Sequence, residues 1–392
     1  MVSKKLFVLF CILLSMVGKK ALAYDIEVKN ADGVTIYYNY INDGKELEVT
    51  TKTIGSYKYS GSVVIPEEVT YKNRTRKVTR IGDSAFYGCS SLTSVTIPNS
   101  VTSIGLMAFE GCSTLTSISI PNSVTSIESG VFEDCFGLTS VSISDVASWC
   151  NIKFSNLHSN PLAYARHLYI DGKEITSLII PNNVTSIGAN AFILWKNLTS
   201  VTISNSVTSI GGAAFWGCEG LTSITIPNSV KSIGAQAFAD FDLPKIYSKI
   251  EDPFDISTNT FTDNTFYNAT LYIPAGTLKK YKFKEGWKKF VYIEEATKCE
   301  RPTITFKNGK LTFSCATEGV SYQYNITASS VKSGAGNNID FTPKFTITAY
   351  ATKAGYMDSD TATIEVSIGD ANCDGVINAT DITTIVNIIM GQ

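Results

Sequence analysis

The sequence has little charge and no long apolar run in its interior. Only 17% of the 392 residues are charged, the formal net charge is -2, and there are two histidines. A chain with 33 basic and 35 acidic residues has no net positive field to attract a phosphate backbone, which excludes a nucleic-acid binder. After the N-terminus, no stretch reaches the roughly 18 to 20 apolar residues of a membrane span, so the protein is predicted not to be transmembrane.

The N-terminus has the three parts of a secretory signal peptide. Lys4 and Lys5 precede the apolar residues 6–14, and an Ala-Leu-Ala tripeptide at 21–23 supplies the small residues of a cleavage site. Residues 1–23 are therefore predicted to be a cleaved signal peptide. The mature protein is predicted to be secreted or held at the cell surface.

The dominant feature is a sequence repeat with a fixed period. The pattern that starts at Val95 starts again at Ile118, Leu178, Val201 and Ile224. A fixed period of this length indicates a solenoid, in which each copy forms one coil and neighbouring coils share a core.

Each copy predicts a short strand followed by a compact turn. Val95-Thr96-Ile97 alternates with period two, so Val95 and Ile97 are predicted to point inward and Thr96 outward. Pro98-Asn99 then turns the chain. The stretch from Ala108 to Cys112 is predicted to form a helical turn with its apolar side inward.

Two columns of the repeat carry large apolar side chains. One is predicted to be the structural spine of the solenoid: Phe86, Phe109, Phe132, Phe192, Phe215 and Phe238. The other column holds Trp195 and Phe241 in two copies and cysteine in four copies: Cys89, Cys112, Cys135 and Cys218. A position that accepts Cys, Trp and Phe needs apolar volume, so these thiols are predicted to be buried and unpaired.

The outward strand positions hold hydroxyl side chains and very little charge. They are Thr96, Ser119, Ser142, Thr202 and Thr225. Such a row can bind sugars or a flat protein surface, which makes these residues candidates for partner binding. The alternative is that the row only keeps a long strand face soluble, because Thr also suits strands.

The repeat is interrupted once. From Val141 to Leu178 the spacing exceeds one repeat, and residues 168–175 have the pattern of a hairpin with a two-residue turn. Cys150, His158 and His167 lie in this insertion within residues 144–177. They are compatible with a nucleophile or a zinc site, but their spacings match no short ligand motif. The insertion is predicted to pack on its own scaffold or to protrude as a contact arm.

The two ends of the solenoid need caps, because an end coil exposes an apolar face and a strand edge. Residues 24–64 alternate between apolar and polar types and predict a β-rich N-terminal cap. Residues 244–296 are rich in aromatic side chains, including Tyr281, Trp287, Phe290 and Tyr292, and predict the closing cap.

A different composition begins at about residue 297. Alternating runs on both sides of Asn308-Gly309 predict a hairpin, and later runs at 345–350 and 362–366 complete a small antiparallel β-sandwich over residues 297–367. The sequence leaves open whether Cys299 and Cys315 form a disulfide.

The last residues contain an EF-hand-like calcium loop. Oxygen ligands occupy loop positions 1, 3, 5, 9 and 12, glycine occupies position 6, and the backbone carbonyl of Val376 occupies position 7. The side-chain ligands are Asp370, Asn372, Asp374, Asn378 and Asp381. Asp381 replaces the usual Glu at position 12, so weaker calcium binding is expected. An amphipathic helix is predicted over residues 382–390.

The repeat columns Ile-Pro-Asn-x-Val, Ser-Ile-Gly and Ala-Phe-x-x-Cys resemble the BspA-like leucine-rich repeats of gut and oral bacteria of the Bacteroides and Prevotella type. The resemblance covers about residues 60–243. It implies adhesion to host matrix proteins or to other bacteria, without fixed ligand residues.

Two weaker resemblances concern the C-terminal part. Residues 297–367 are similar to the small β-sandwich appended to chitobiase-type enzymes, which implies a spacer or accessory module. Residues 368–392 resemble half of a type I dockerin, which implies calcium binding and a possible cohesin-like partner. The partner-reading pair would be Ala379 and Thr380. A full dockerin has two such segments, and this sequence shows one.

The sequence therefore predicts an α/β, mainly β leucine-rich repeat solenoid over residues 65–243 with β-rich caps, then a β-sandwich and a calcium segment. We expect an exported, non-enzymatic protein that binds a protein or glycan on a host or neighbouring bacterial surface. The alternative is a non-catalytic carbohydrate-binding or scaffolding component of an extracellular polysaccharide-degrading assembly, recruited through residues 368–392. A hydrolase would need paired acids at a defined separation, and the acidic residues are scattered over caps and turns.

Overall fold

A computed structural model describes residues 24–52, 58–307, 310–333, 340–353, 356, 359 and 361–367. The described chain divides into two compact units. The first contains the residues up to Lys245 together with Phe254–Ala269 and Lys284–Val291. The second contains Ile246–Pro253, Thr270–Phe283 and the residues from Tyr292 onward.

The first unit begins with an antiparallel meander that continues into the repeats. Its strands are β1 (Ile26–Lys29), β2 (Thr35–Ile41) and β3 (Glu46–Thr50). β1 pairs with β2 and β2 with β3, all antiparallel. β3 then pairs in parallel with β6 (Arg74–Ile81), a strand of the first repeats. The cap therefore extends one of the solenoid's own sheets.

The first coils carry two short strands each. Besides β6, the strands are β4 (Ser60–Val64), β5 (Glu68–Tyr71), β7 (Ser91–Thr96), β8 (Ser103–Ile104), β9 (Ser117–Ser119), β10 (Ser126–Ile127) and β11 (Ser140–Ile143). Equivalent strands of successive coils are parallel and in register, as in the pairs of β8 with β10 and β9 with β11. The sequence places β4 in the cap, but it pairs in parallel with β7, as coil strands do.

The insertion forms a complete, irregular coil of the stack. Its elements are α1 (Val146–Cys150), β12 (Lys153–Phe154), a 3-10 turn (Leu157–Ser159), α2 (Leu162–Ala165), β13 (His167–Ile170) and β14 (Lys173–Ile175). β12 pairs in parallel with β10, and β13 with β11, so the insertion supplies a strand to each of two sheets. β13 and β14 form the predicted hairpin through Asp171-Gly172, both of which have positive φ. Because β12 and β13 both pair within the stack, the insertion is not a wholly protruding arm.

Regular coils resume after the insertion. Their strands are β15 (Ser177–Ile179), β16 (Ser186–Ile187), β17 (Ser200–Thr202), β18 (Ser209–Ile210), β19 (Ser223–Ile226) and β20 (Ser232–Ile233). β15 pairs with β17, and β16, β18 and β20 form a second parallel ladder. The serine of each copy faces the serine of the next, because the constant period keeps the register.

The stretch around each phenylalanine is not the predicted helical turn. The residues two positions before and two positions after each ring have positive φ, which breaks a right-handed helix. In four copies these pairs are Ser84 and Gly88, Met107 and Gly111, Asn190 and Leu194, and Ala213 and Gly217. The amide of Phe109 donates to Val131 O of the next coil (3.0 Å) rather than to its own turn. Amides that bond the next coil alternate with amides that bond three residues back, as Ala108 does to Gly105 O at 3.3 Å.

The far end of the first unit is closed by an aromatic cluster. Phe261 stacks on Phe238 with ring centroids 5.4 Å apart, and Phe266 and Phe290 meet Phe261 edge to face. α3 (Asp263–Asn268) and a 3-10 turn (Trp287–Lys289) carry this cluster. Trp287 and Phe290 are buried in this cluster.

The second unit contains two groups of strands. The first group is β21 (Lys245–Ser248), β22 (Thr270–Pro274) and β23 (Tyr292–Ala296), with α4 (Leu278–Lys282) between β22 and β23. Tyr281 of α4 is buried, whereas Tyr292 is 56% exposed, which does not fit its predicted role in the cap.

The second group consists of antiparallel strands. They are β24 (Thr303–Lys307), β25 (Lys310–Ser314), β26 (Ser321–Ser333), β27 (Asp340–Thr352) and β28 (Ala362–Ser367). β24 pairs with β25, and β26, β27 and β28 form a second sheet. Ile304, Ile347, Ala349 and Ala362 form one apolar cluster that draws on both sheets. Cys315 is a free thiol 3.1 Å from Glu300 O, so no disulfide joins it to Cys299.

Candidate ligand-binding surface

The interior of the coils is filled by the phenylalanine column. All six predicted rings are 0% exposed: Phe86, Phe109, Phe132, Phe192, Phe215 and Phe238. Phe86, Phe109 and Phe132 stack with centroids 5.0 and 5.7 Å apart, and Phe192, Phe215 and Phe238 stack at 5.4 and 5.6 Å. The insertion coil lies between the two stacks. These rings are therefore unavailable to a ligand.

Sequence analysis missed the seventh ring of this column. Phe261 lies one repeat period after Phe238 and continues its stack. The repeat period alone would have found it, but the surrounding copy has lost its Ile-Pro-Asn and Ser-Ile-Gly signatures. At the other end, Tyr59 packs on Phe86 at 4.8 Å.

The cysteine column is also internal. Cys112 and Cys135 each place Sγ close to the carbonyl of a phenylalanine one coil earlier, at 3.2 and 3.1 Å. Burial raises the pKa of the Cys135 thiol to about 12, and it raises the pKa of Cys112 further. Since the thiolate is the nucleophile and the metal ligand, these groups are inert at neutral pH.

The outward row lies on the strands of the coils, on the side that faces away from the core. Thr96, Ser119 and Thr202 are exposed, and Ser142 and Thr225 are partly exposed. Ser119 and Ser142 are register partners on β9 and β11, and Ile179 on β15 faces Thr202 on β17. Neighbouring strands are about 4.8 Å apart. The row therefore offers hydroxyl groups at strand spacing, interrupted by Ile179, which is 67% exposed.

Other hydroxyl columns serve the stack itself. Thr102, Thr125, Thr139, Thr199 and Thr208 each donate to a carbonyl of the preceding coil at 3.0 to 3.2 Å. Ser123, Ser206 and Ser229 do the same at 2.7 Å. Each threonine also donates its backbone amide to the same carbonyl, so the hydroxyl adds a second bond between neighbouring coils.

The outward row differs from those columns. Within the described part of the chain, the hydroxyls of Thr96, Ser119, Ser142, Thr202 and Thr225 make no hydrogen bond to another protein group. Their donors and acceptors point to solvent. The sequence could not distinguish these two kinds of hydroxyl, because both occur in Ser- and Thr-rich columns of the same repeat.

The histidines and the cysteine of the insertion are not brought together into a catalytic or metal site. Cys150 is 1% exposed, His158 Nδ1 is 2.7 Å from Tyr164 Oη, and His167 Nδ1 is 2.7 Å from Glu174 Oε1. Among the described residues, no three His, Cys, Asp or Glu side chains are grouped so that they could hold a metal ion.

The remaining predicted site residues lie outside the described residues. They are Asp370, Asn372, Asp374, Val376, Asn378 and Asp381 of the calcium loop, and Ala379 and Thr380 of the partner-reading pair. The predicted signal peptide, residues 1–23, lies outside as well. In the stretches that are described, no helix is both long and apolar enough to cross a membrane.

The stacked parallel coils define a leucine-rich repeat protein. The family model described as BspA type leucine rich repeat region matches residues 36–160 and 166–287, with six copies. This match covers more than half of the chain, and the protein belongs to that family. No curated protein matches the chain.

Several solved structures are similar to this fold. A leucine-rich repeat protein from Bacteroides ovatus is 23% identical, with 71% of each chain covered and a TM-score of 0.45. A leucine rich cell surface protein from Faecalibacterium prausnitzii is 20% identical over 69% of this chain and 95% of its own, with a TM-score of 0.29. The pneumococcal vaccine antigen PcpA is 13% identical over 69% of this chain and 97% of its own, with a TM-score of 0.30.

Proposed function

We propose that this protein is an exported, non-catalytic binding protein whose outward hydroxyl row contacts a protein or glycan on a host or neighbouring bacterial surface. The single observation that carries the proposal is the contrast between hydroxyl columns. Most columns bond the neighbouring coil, whereas Thr96, Ser119, Ser142, Thr202 and Thr225 leave their hydroxyls to solvent.

Solenoids bind through extended surfaces assembled from many coils. Each free hydroxyl supplies one donor and two acceptor lone pairs, so the row can hydrogen-bond a ligand of either polarity. The row is also short of charge, which lowers the desolvation cost of contact with a partner. The phenylalanine column beneath holds the strands in a fixed register.

The test uses the mature chain, residues 24–392, and immobilised fibrinogen, fibronectin and collagen as probes. The variant carries Ser119→Arg and Thr202→Arg, two bulky changes on strands that are not neighbours. The control carries Ser113→Arg, an exposed position in a column where another copy has Lys196. Each protein is first shown to unfold at the wild-type temperature.

The expected result is retention of the wild type and the control on at least one probe, with at least a tenfold loss for the double variant. Equal retention of all three proteins would contradict a role for the row. If the wild type is retained neither on any matrix probe nor on intact neighbouring bacteria, the adhesion function itself is contradicted.

We further propose that residues 368–392 bind calcium through the six loop positions named above, a proposal that rests on sequence. If the C-terminus only folds around calcium, adhesion by the row persists in EDTA. If the alternative function holds, EDTA and deletion of residues 368–392 both abolish recruitment to the polysaccharide-degrading assembly. A pull-down from the producer's secreted proteins separates the two outcomes.

A further inference from the structure

The insertion changes the chemistry of the outward row. β13 pairs in parallel with β11, which places Tyr169 beside Ser142 and His167 beside Ser140. β14 then places Glu174 beside Tyr169 on the same side of the hairpin. An aromatic ring, an imidazole and a carboxylate therefore lie at the point where the regular copies, apart from the one with Ile179, have hydroxyls.

His167 is held in a defined orientation. Its Nδ1 lies 2.7 Å from Glu174 Oε1 and 3.1 Å from Asn197 Nδ2. When Nδ1 donates to the carboxylate, the neutral imidazole presents the lone pair of Nε2, and the Asn197 amide nitrogen, itself a donor, is a neighbour of Nδ1 and not its hydrogen-bond partner. Within the described residues, Nε2 has no protein partner. The His167 side chain is 42% exposed and that of Glu174 is 36% exposed, so a ligand can reach both.

We infer that His167, Tyr169, Glu174 and Asn197 form a binding site for a neutral glycan. This site anchors a ligand that also contacts the hydroxyl row of the proposed function. The inference rests on that proposed function and names its ligand class. The imidazole and the amide can each hydrogen-bond sugar hydroxyls as donor or acceptor, and the Glu174 carboxylate accepts from them. Tyr169 supplies an aromatic surface for the apolar face of a pyranose ring, with Ser140 and Ser142 adjacent.

The charge around the hairpin favours a neutral ligand. Arg166 and Lys173 are balanced by Asp171 and Glu174. An anionic glycan would require an excess of Lys or Arg for charge-assisted hydrogen bonds. A protein partner would be expected to bury a larger apolar centre than the half-buried Tyr169 provides.

The test measures binding of the mature chain to soluble neutral hexasaccharides of glucose, mannose, xylose and N-acetylglucosamine, with sialylated and sulfated glycans alongside. The variants are Tyr169→Ala, His167→Ala and Glu174→Gln, and the control is Tyr87→Ala, a tyrosine that is 43% exposed in another column. Glu174→Gln keeps the shape of the side chain but removes the carboxylate that orients His167.

The expected result is binding of at least one neutral glycan, weakened at least tenfold by Tyr169→Ala and His167→Ala, less by Glu174→Gln, and unchanged by Tyr87→Ala. Absence of neutral glycan binding, preference for the anionic glycans, or equal affinity in all variants would overturn the inference. If matrix proteins still bind and the Ser119→Arg, Thr202→Arg variant still abolishes that binding, the proposed function survives while this inference fails.

Discussion

At the scale of single residues, burial divides side chains that the sequence presents as similar. Phe109 is 0% exposed between Phe86 and Phe132, whereas Phe136 is 76% exposed. Both are phenylalanines in repeat copies. Only the position within the period distinguishes them, and that position could be predicted because the column recurs once in every copy.

Phe109→Ala is expected to lower the free energy of unfolding by about 3 to 5 kcal/mol, because it removes a fully buried ring and leaves a cavity between two others. Phe136→Ala is the matched control and should change stability by less than about 0.5 kcal/mol. Urea unfolding followed by circular dichroism measures both. Equal effects of the two changes would show that the column is not the core.

The buried thiols predict a loss of stability at alkaline pH. Burial raises the pKa of Cys135 and of Cys150 to about 12 from the ordinary value of 9.0. Below pH 9 both the folded and the unfolded chain hold these protons. As the pH rises above 9 the unfolded chain releases them first, so stability falls, with a limiting slope of about 1.4 kcal/mol per pH unit for each thiol.

Denaturant unfolding at a series of pH values from 8 to 10.5 measures this slope for the wild type and for Cys135→Ala. The variant's free energy of unfolding should fall less steeply with pH, because one of the titrating thiols is absent. A variant with the wild-type slope would contradict the buried position of Cys135. At pH 8, a maleimide should label Cys315 and leave Cys135 unmodified until the protein unfolds.

At the scale of elements, the insertion coil is held by one buried asparagine. Asn160 is 0% exposed, its Nδ2 donates to Asn190 O (2.7 Å) and Ala191 O (2.9 Å), and its Oδ1 accepts from the amide of Leu162 (2.9 Å). Trp149 Nε1 donates to the same Ala191 O at 2.7 Å. These bonds join the irregular coil to the regular coil that follows.

Asn160→Ala is expected to destabilise the protein by about 2 to 3 kcal/mol, because the buried amide of Leu162 loses its acceptor and Asn190 O and Ala191 O each lose one bond. Asn151→Ala, in which an exposed side chain loses one bond to Ala147 O, should cost less than about 1 kcal/mol. Thermal unfolding compares the two. If Asn151→Ala were the more damaging change, the insertion would not be anchored through Asn160.

The elements also show which parts of the fold could be predicted. The strands, the 168–175 hairpin and the inward direction of Val95 and Ile97 follow from periodicity, which the sequence displays directly. The helical turn predicted around each phenylalanine does not form, because the apolar spacing from Ala108 to Cys112 also suits a turn that bonds the next coil. The hydrogen bond from the Phe109 amide to Val131 O of the next coil selects the turn. No local sequence pattern encodes that contact.

At the scale of the whole molecule, the candidate surface was only half predictable. The outward row Thr96, Ser119, Ser142, Thr202 and Thr225 follows from the alternation of the strands. The cluster of His167, Tyr169, Glu174 and Asn197 does not, because Asn197 is distant from His167 in sequence and meets it only when coils stack. Chemistry that spans coils requires the three-dimensional register.

The parallel register of successive coils underlies both the core and the outward row, and one measurement tests it directly. Ser119→Cys and Ser142→Cys are introduced together and labelled with pyrene maleimide, in a background with Cys315→Ser and Cys373→Ser, in which the other thiols of the described residues are buried. Because Ser119 and Ser142 are register partners on neighbouring parallel strands, the native protein should emit strong pyrene excimer fluorescence, which unfolding abolishes. The matched pair Ser119→Cys and Thr202→Cys, on strands that are not neighbours, should show only monomer emission. Equal emission from the two pairs, or no excimer from the first, would contradict a stack of coils in register.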